Sequence, residues 1–131
     1  MQPDKVAIKN YSSSEEDAGR SGLIDALQNC PIPPDQLLSN AGLFLESKNL
    51  SRILFMDFLF RSVVDVQGVV MEFGTRWGQN LALFTALRGI YDPFNRHRKI
   101  IGFDTFEGFP EISEKDGKSE MMQPGQLALG E

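Results

Sequence analysis

Cysteine is nearly absent from this chain: Cys30 is the single copy in 131 residues, and histidine and tryptophan also occur once each. One cysteine excludes an intrachain disulfide framework and fits a reducing, cytoplasmic setting. Cys30 and the distant His97 make a poor pair for thiol catalysis, so Cys30 reads as a small buried hydrophobe near a turn. Apolar runs long enough to span a bilayer are missing, and the residues behind Met1 lack the apolar stretch of a secretory signal. Neither secretion nor a membrane partner is expected. Basic charge is scarce as well: 13 Lys and Arg against 18 Asp and Glu leave a net charge of −5. That balance argues against nucleic acid, because holding phosphates requires clustered cations. The one basic cluster, Arg96-His97-Arg98-Lys99, directly precedes an apolar run and reads as a solvated strand entrance.

What is present suits one globular α/β domain. Apolar residues make up 41% and charged residues 24%, which separates the chain from disordered sequences. Residues 1–20 are the exception, a polar stretch running into Ser12-Ser13-Ser14-Glu15-Glu16-Asp17, and are expected to form a flexible arm. Ser21 to Gln28 predicts a short helix stopped before Pro31, and Pro33-Pro34 opens another that Asn40 to Gly42 breaks. Asn49 to Asp65 is the clearest helix of this half, with Leu50, Ile53, Leu54 and Phe58 at helical spacing. Phe55, Met56, Leu59 and Phe60 carry its apolar stripe almost all the way round, which suggests a covering layer or a homodimer contact made through these N-terminal helices.

A different pattern begins at Val66. VQGVVMEF is a continuous apolar run of the kind buried on both faces of a parallel sheet; Gly74 to Gly78 is a turn; Asn80 to Tyr91 is an amphipathic helix; and Lys99 to Asp104 is a second apolar run ending in an acid. Strand, glycine turn, helix, strand and acid make the first βαβ unit of a Rossmann-like doubly wound sheet. Glu111 to Glu131 offers no further strand, so the domain reads as incomplete, N-terminal helices followed by one βαβ unit.

Ligands of such sheets sit beyond the carboxyl ends of the strands, where Gly74 and Asp104 fall. Gly74 permits a sharp turn, the helix starting near Gly78 directs free N–H groups outward, and the Asp104 carboxylate suits the two hydroxyls of a ribose. Spacing then discriminates among cofactors. Arg76 occupies the position where a dinucleotide fold places its second glycine, which disfavours NAD and FAD, and Gln79-Asn80 after Gly78 excludes a phosphate loop of the ATP or GTP kind. Glu72-x-Gly74-x-x-x-Gly78 is instead the looser pattern compatible with S-adenosylmethionine (SAM), whose ammonium could meet Glu72. The competing reading is that the two glycines close a turn and Asp104 caps a loop.

The run from Glu72 to Pro110, EFGTRWGQNLALFTALRGIYDPFNRHRKIIGFDTFEGFP, resembles the macrocin O-methyltransferase family of SAM-dependent enzymes, through its E-F-G-x-x-x-G turn and its G-F-D-T-F-E-G-F-P segment. The resemblance implies that Glu72, Gly74 and Gly78 line the methionine end of SAM and that Asp104 holds its ribose. Phe103 and Thr105 would border the adenosine, and Phe106 or Phe109 would close over the cofactor or shape the acceptor site. Trp77 reads as a packing residue and Glu107 as a rim charge. The implied activity is O-methylation of a sugar or other small hydroxyl acceptor, with residues 21–131 forming the N-terminal part of a single SAM-binding domain. Relatives of this kind are about twice as long and use a divalent metal, usually Mg²⁺, held by carboxylates in their later half. The acidic run Glu111, Glu114, Asp116 and Glu120 is irregularly spaced and reads as solvated surface. Two alternatives stay open: another Rossmann-like transferase or oxidoreductase using NAD or coenzyme A, and a non-catalytic chain that retains dimerisation or cofactor binding.

Overall fold

In the computed structural model, which describes residues 11–109, 111–113 and 128–129, the chain divides into two units, one of Lys9–Arg52 and one that begins at Ile53. The first unit is helical. Helix α1 (Ser14–Gln28) starts seven residues before the expected Ser21, because the serine and acid run is a capping box. The Ser13 hydroxyl accepts the Glu16 N–H at 3.2 Å, and the Glu16 carboxylate accepts the Ser13 N–H at 2.7 Å. Two orphan donors are thereby satisfied, and Glu15, Glu16 and Asp17 lie where the helix dipole favours acids. The flexible arm expected as far as residue 20 is therefore helical from Ser14 onward, while residues 1–10 lie outside those described. Cys30 follows α1 and is half-buried rather than buried.

Pro34, at the first helical position of α2 (Pro34–Leu37), begins that helix as expected. Asn40 to Gly42 does not end the helical path. It continues as a 3₁₀ helix from Leu38 to Phe44, kinked at Asn40, whose side-chain amide donates to the Gln36 carbonyl at 3.0 Å. Helix α3 (Ser47–Ser62) contains the boundary between the two units, and its Phe60 is fully buried.

The second unit holds the βαβ element. Strand β1 (Val70–Phe73) pairs in parallel with β2 (Ile100–Phe103), Val70 opposite Ile100 and Phe73 opposite Phe103, and α4 (Gln79–Tyr91) makes the crossover. The strand expected from Val66 is four residues shorter, since Gly68 takes a φ of 139° and breaks the extended run. Glu72 and Gly102 are register partners and so share a sheet face. Gly102 identifies that face as the one α4 covers: a Cβ there would meet Leu81 Cδ1 and lie 2.7 Å from Thr75 Cγ2. A glycine is required because the helix approaches so closely.

On that covered face Phe60 of α3 packs against Phe84 and Tyr91 of α4, with ring centroids 6.2 and 6.4 Å apart. The Tyr91 hydroxyl donates to Asp57 at 2.8 Å, a bond that raises the tyrosine pKa above its ordinary value. The other face of the sheet, carrying Met71, Phe73 and Phe103, is exposed.

The strand entrances are fastened by Arg98. The basic cluster was expected to be solvated, yet Arg98 is 3% exposed. Its Nε donates to Asp92 at 3.1 Å, and one terminal nitrogen donates to the Val63 and Val64 carbonyls at 2.9 Å each. Carbonyls left unpaired where α3 ends are thereby satisfied, with Asp92 supplying the countercharge. No helix among the described residues is long and apolar enough to cross a membrane.

Candidate functional site

At the strand exits the ladder continues one bond further, with the Gly74 N–H donating to the Phe103 carbonyl at 2.8 Å. The chain then turns through three left-handed residues, Gly74 at φ 79°, Arg76 at 49° and Gly78 at 73°. Glycine adopts this region without a Cβ penalty, whereas arginine does not. Gly78 is also the N-cap of α4 and brings no side-chain bond to it, so the helix begins without a side-chain cap.

Asp104 organises both turns. Its Oδ2 accepts the Arg76 N–H at 2.6 Å, and its Oδ1 accepts the Phe106 N–H at 2.7 Å. Hydrogen bonds from the Arg76 backbone first, and then from Phe106, hold its carboxyl below the usual carboxylate range. Phe106 is left-handed at φ 60°, and the Thr105 hydroxyl closes this second turn by donating to the Gly108 carbonyl at 3.2 Å. The loop-cap reading of Asp104 is thus realised in the geometry. A carboxylate oxygen has capacity for a second donor, so the cap still allows ribose hydroxyls to bond there.

Between these turns lies an open cleft of about 760 Å³. Of the residues expected to bind cofactor, Gly74, Phe103, Asp104 and Thr105 line it together, with Phe106 and Phe109 also in its wall. Phe73 stacks on Phe103 with centroids 4.9 Å apart and planes 11° from parallel, forming an aromatic wall on the uncovered face. Glu72 and Gly78 are not part of this wall. Glu72 lies on the α4 face, where the Asn80 side-chain amide donates to its Oε1 at 2.5 Å. Its Oε2 is buried and has no hydrogen-bond partner among the described residues. A buried acceptor left open is costly and marks a place where a donor belongs.

Solved structures share the fold of this chain. Over 99% of its length the chain matches the crystal structure of CalS11, calicheamicin methyltransferase, with a TM-score of 0.87 and 40% sequence identity, covering 51% of that chain. An apo structure of CalS11, described as TDP-rhamnose 3'-O-methyltransferase of calicheamicin biosynthesis, matches over 74% of this chain and 41% of that one, at 47% identity and a TM-score of 0.71. These neighbours are consistent with a macrocin O-methyltransferase-like family. It spans about half the length of the solved structures it matches. No family model matches it, and neither does any curated protein.

Three residues of this candidate site escaped sequence reasoning. Asn80 hides as an ordinary first-turn residue, and its role needs knowledge of which face Glu72 takes. Phe73 reads as one more apolar strand residue. Gly102 could have been found, because a glycine inside a strand signals close approach by another element. For a metal the fit is poor: among the described residues no group of three Asp, Glu, His or Cys side chains could hold an ion. Of the acidic run, only Glu111 lies within the described residues.

Proposed function

We propose that the chain forms the cofactor-binding part of a SAM-dependent O-methyltransferase whose acceptor is a sugar or other small hydroxyl compound. The observation that carries this reading is the open Oε2 of Glu72, a buried anionic acceptor beside the uncapped start of α4. The methionine end of SAM complements that pair, its ammonium facing Glu72 and its carboxylate facing the helix N–H groups. On the cleft side Asp104 would accept the ribose hydroxyls with its remaining lone pairs, beside Phe103 and Thr105. Bound there, SAM supplies an electrophilic methyl group. The residues of this chain bind and orient it, which is the larger part of what an in-line methyl transfer asks of a protein. No step is assigned to Mg²⁺, since the described residues do not fit it.

We place the complete activity in a protein that supplies further elements. The catalytic base and most acceptor contacts lie, on this reading, outside the described residues. The similarity to a sugar methyltransferase supports the acceptor class. The half-exposed apolar stripe of α3 formed by Leu54, Phe55, Phe58 and Leu59 supports a homodimer contact as part of the same proposal.

Calorimetric titration tests the cofactor. S-adenosylhomocysteine and SAM should bind and NAD should not, and Glu72→Gln should weaken both sulfur ligands by about tenfold, the effect of losing one charge-assisted bond. Tighter binding of NAD than of SAM would sink the proposal.

A further inference from the structure

Glu72 is held by one oxygen and open at the other. Asn80, the second residue of α4, follows the left-handed turn of Gly74, Arg76 and Gly78, and its side-chain amide donates to Glu72 Oε1 at 2.5 Å. Oε2 is buried and has no partner among the described residues. The neighbouring strand sets this approach: Glu72 and Gly102 are register partners, and Leu81, the residue after Asn80, occupies the space that a side chain at 102 would fill. The last torsion of a glutamate is broad and roughly two-fold, so an unheld carboxylate presents either oxygen over a wide arc. One fixed amide donor removes that freedom, assigns Oε1 to the protein and leaves Oε2 for a ligand. The character of the donor counts as well. Where acids of this chain meet arginine, as Asp57 meets Arg61 and Asp92 meets Arg98, the charge is cancelled within the protein. The Asn80 amide is neutral, so it orients Glu72 and leaves its negative charge to attract a cation.

We propose that Asn80 is a positioning residue that acts through Glu72, and that the pair selects ligands carrying a primary ammonium. The inference rests on the methyltransferase reading, in which that ammonium belongs to the methionine end of SAM, and adds to it the device that aims the acid. The adenosine end of the same ligand has no ammonium, so its contribution to affinity is independent of the pair. Asn80 therefore governs one half of the ligand and not the other.

Trp77, the single tryptophan, lies in the same turn and is 73% exposed, which makes it a local fluorescent reporter. The chain is titrated with S-adenosylhomocysteine and with 5'-methylthioadenosine, which has the same adenosine and thioether but no amino-acid end. Asn80→Leu should weaken S-adenosylhomocysteine about tenfold and leave 5'-methylthioadenosine within about twofold. Asn80→Asp keeps the shape of the side chain but turns a second acid on Glu72, and should lose at least as much. Added to Glu72→Gln, Asn80→Leu should deepen the loss by less than about twofold, since both changes act on one contact. The proposal is overturned if the native chain binds both compounds equally, if Asn80→Leu and Asn80→Asp leave S-adenosylhomocysteine affinity unchanged, or if their loss falls equally on 5'-methylthioadenosine. It is also overturned if the losses of Asn80→Leu and Glu72→Gln multiply, which would make Asn80 a ligand contact in its own right. A native chain that binds neither compound strikes the methyltransferase reading itself, and the positioning role falls with it. Circular dichroism of each variant confirms that it folds.

Discussion

The two ends of the β1–β2 pair are each tied by one charged side chain, and the two ties are built on opposite principles. At the entrances Arg98 is buried, saturates the carbonyls at the end of α3 and neutralises Asp92. At the exits Asp104 is half-buried, bonds only backbone N–H groups, and holds turns containing two left-handed non-glycine residues, Arg76 and Phe106. One end is satisfied internally. The other keeps, among the described residues, an open acceptor on Glu72 and an exposed aromatic wall. Buried ties are concentrated where the strands begin and open polar and aromatic groups where they end, the division expected of parallel sheets whose ligands sit at the carboxyl edge.

The sharpest way to break this division is at the core beside the entrances. Phe60→Ala removes a fully buried ring facing Phe84 and Tyr91 and should lower stability by about 3–5 kcal/mol, read by urea denaturation. Arg98→Ala strands the Asp92 carboxylate and two carbonyls and should follow at about 3 kcal/mol; a loss near zero would mean that the entrance tie is ornamental. Gly102→Ala forces Leu81 and Thr75 aside beneath α4, with an expected loss of about 1–3 kcal/mol in the same measurement.

The smallest stability effect is expected at Asp104. Asp104→Asn keeps one acceptor but turns an amide donor toward the second N–H, so the melting temperature should move little while Trp77 emission changes. Acid should act in the same way. The folded carboxyl titrates below the ordinary value of about 3.9, so its contribution is complete above that value and is lost as pH falls through the lower, folded pKa. A Trp77 fluorescence step confined to that acid range, and absent from Asp104→Asn, would establish the exit tie. A step at neutral pH would refute it.

The β-α-β order was legible because period and punctuation agree: apolar runs, glycines between them, and Asp92-Pro93 after the helix. Helix boundaries were less so. Ser13 to Asp17 combines a low-hydrophobicity pattern with a capping signal, and the cap prevailed as far as α1 is concerned. Arg98 was misjudged because burial of an arginine depends on carbonyls from Val63 and Val64, more than thirty residues away. In the candidate site, the residues placed by their own strand ends, Gly74, Phe103, Asp104 and Thr105, were readable. Phe73 and Asn80 were not, since their importance comes from which face a neighbouring element brings to them.

Phe73 and Phe103 stack on a sheet face that α4 does not cover, and both strands of the pair are edge strands among the described residues. An apolar face bordered by unpaired backbone groups is a template for further strands and for other chains alike. At a net charge of −5, repulsion between copies opposes such pairing in dilute buffer, and added salt screens it. Colloidal behaviour is therefore set by ionic strength, and dilute, low-salt buffer is the condition that keeps the chain dispersed.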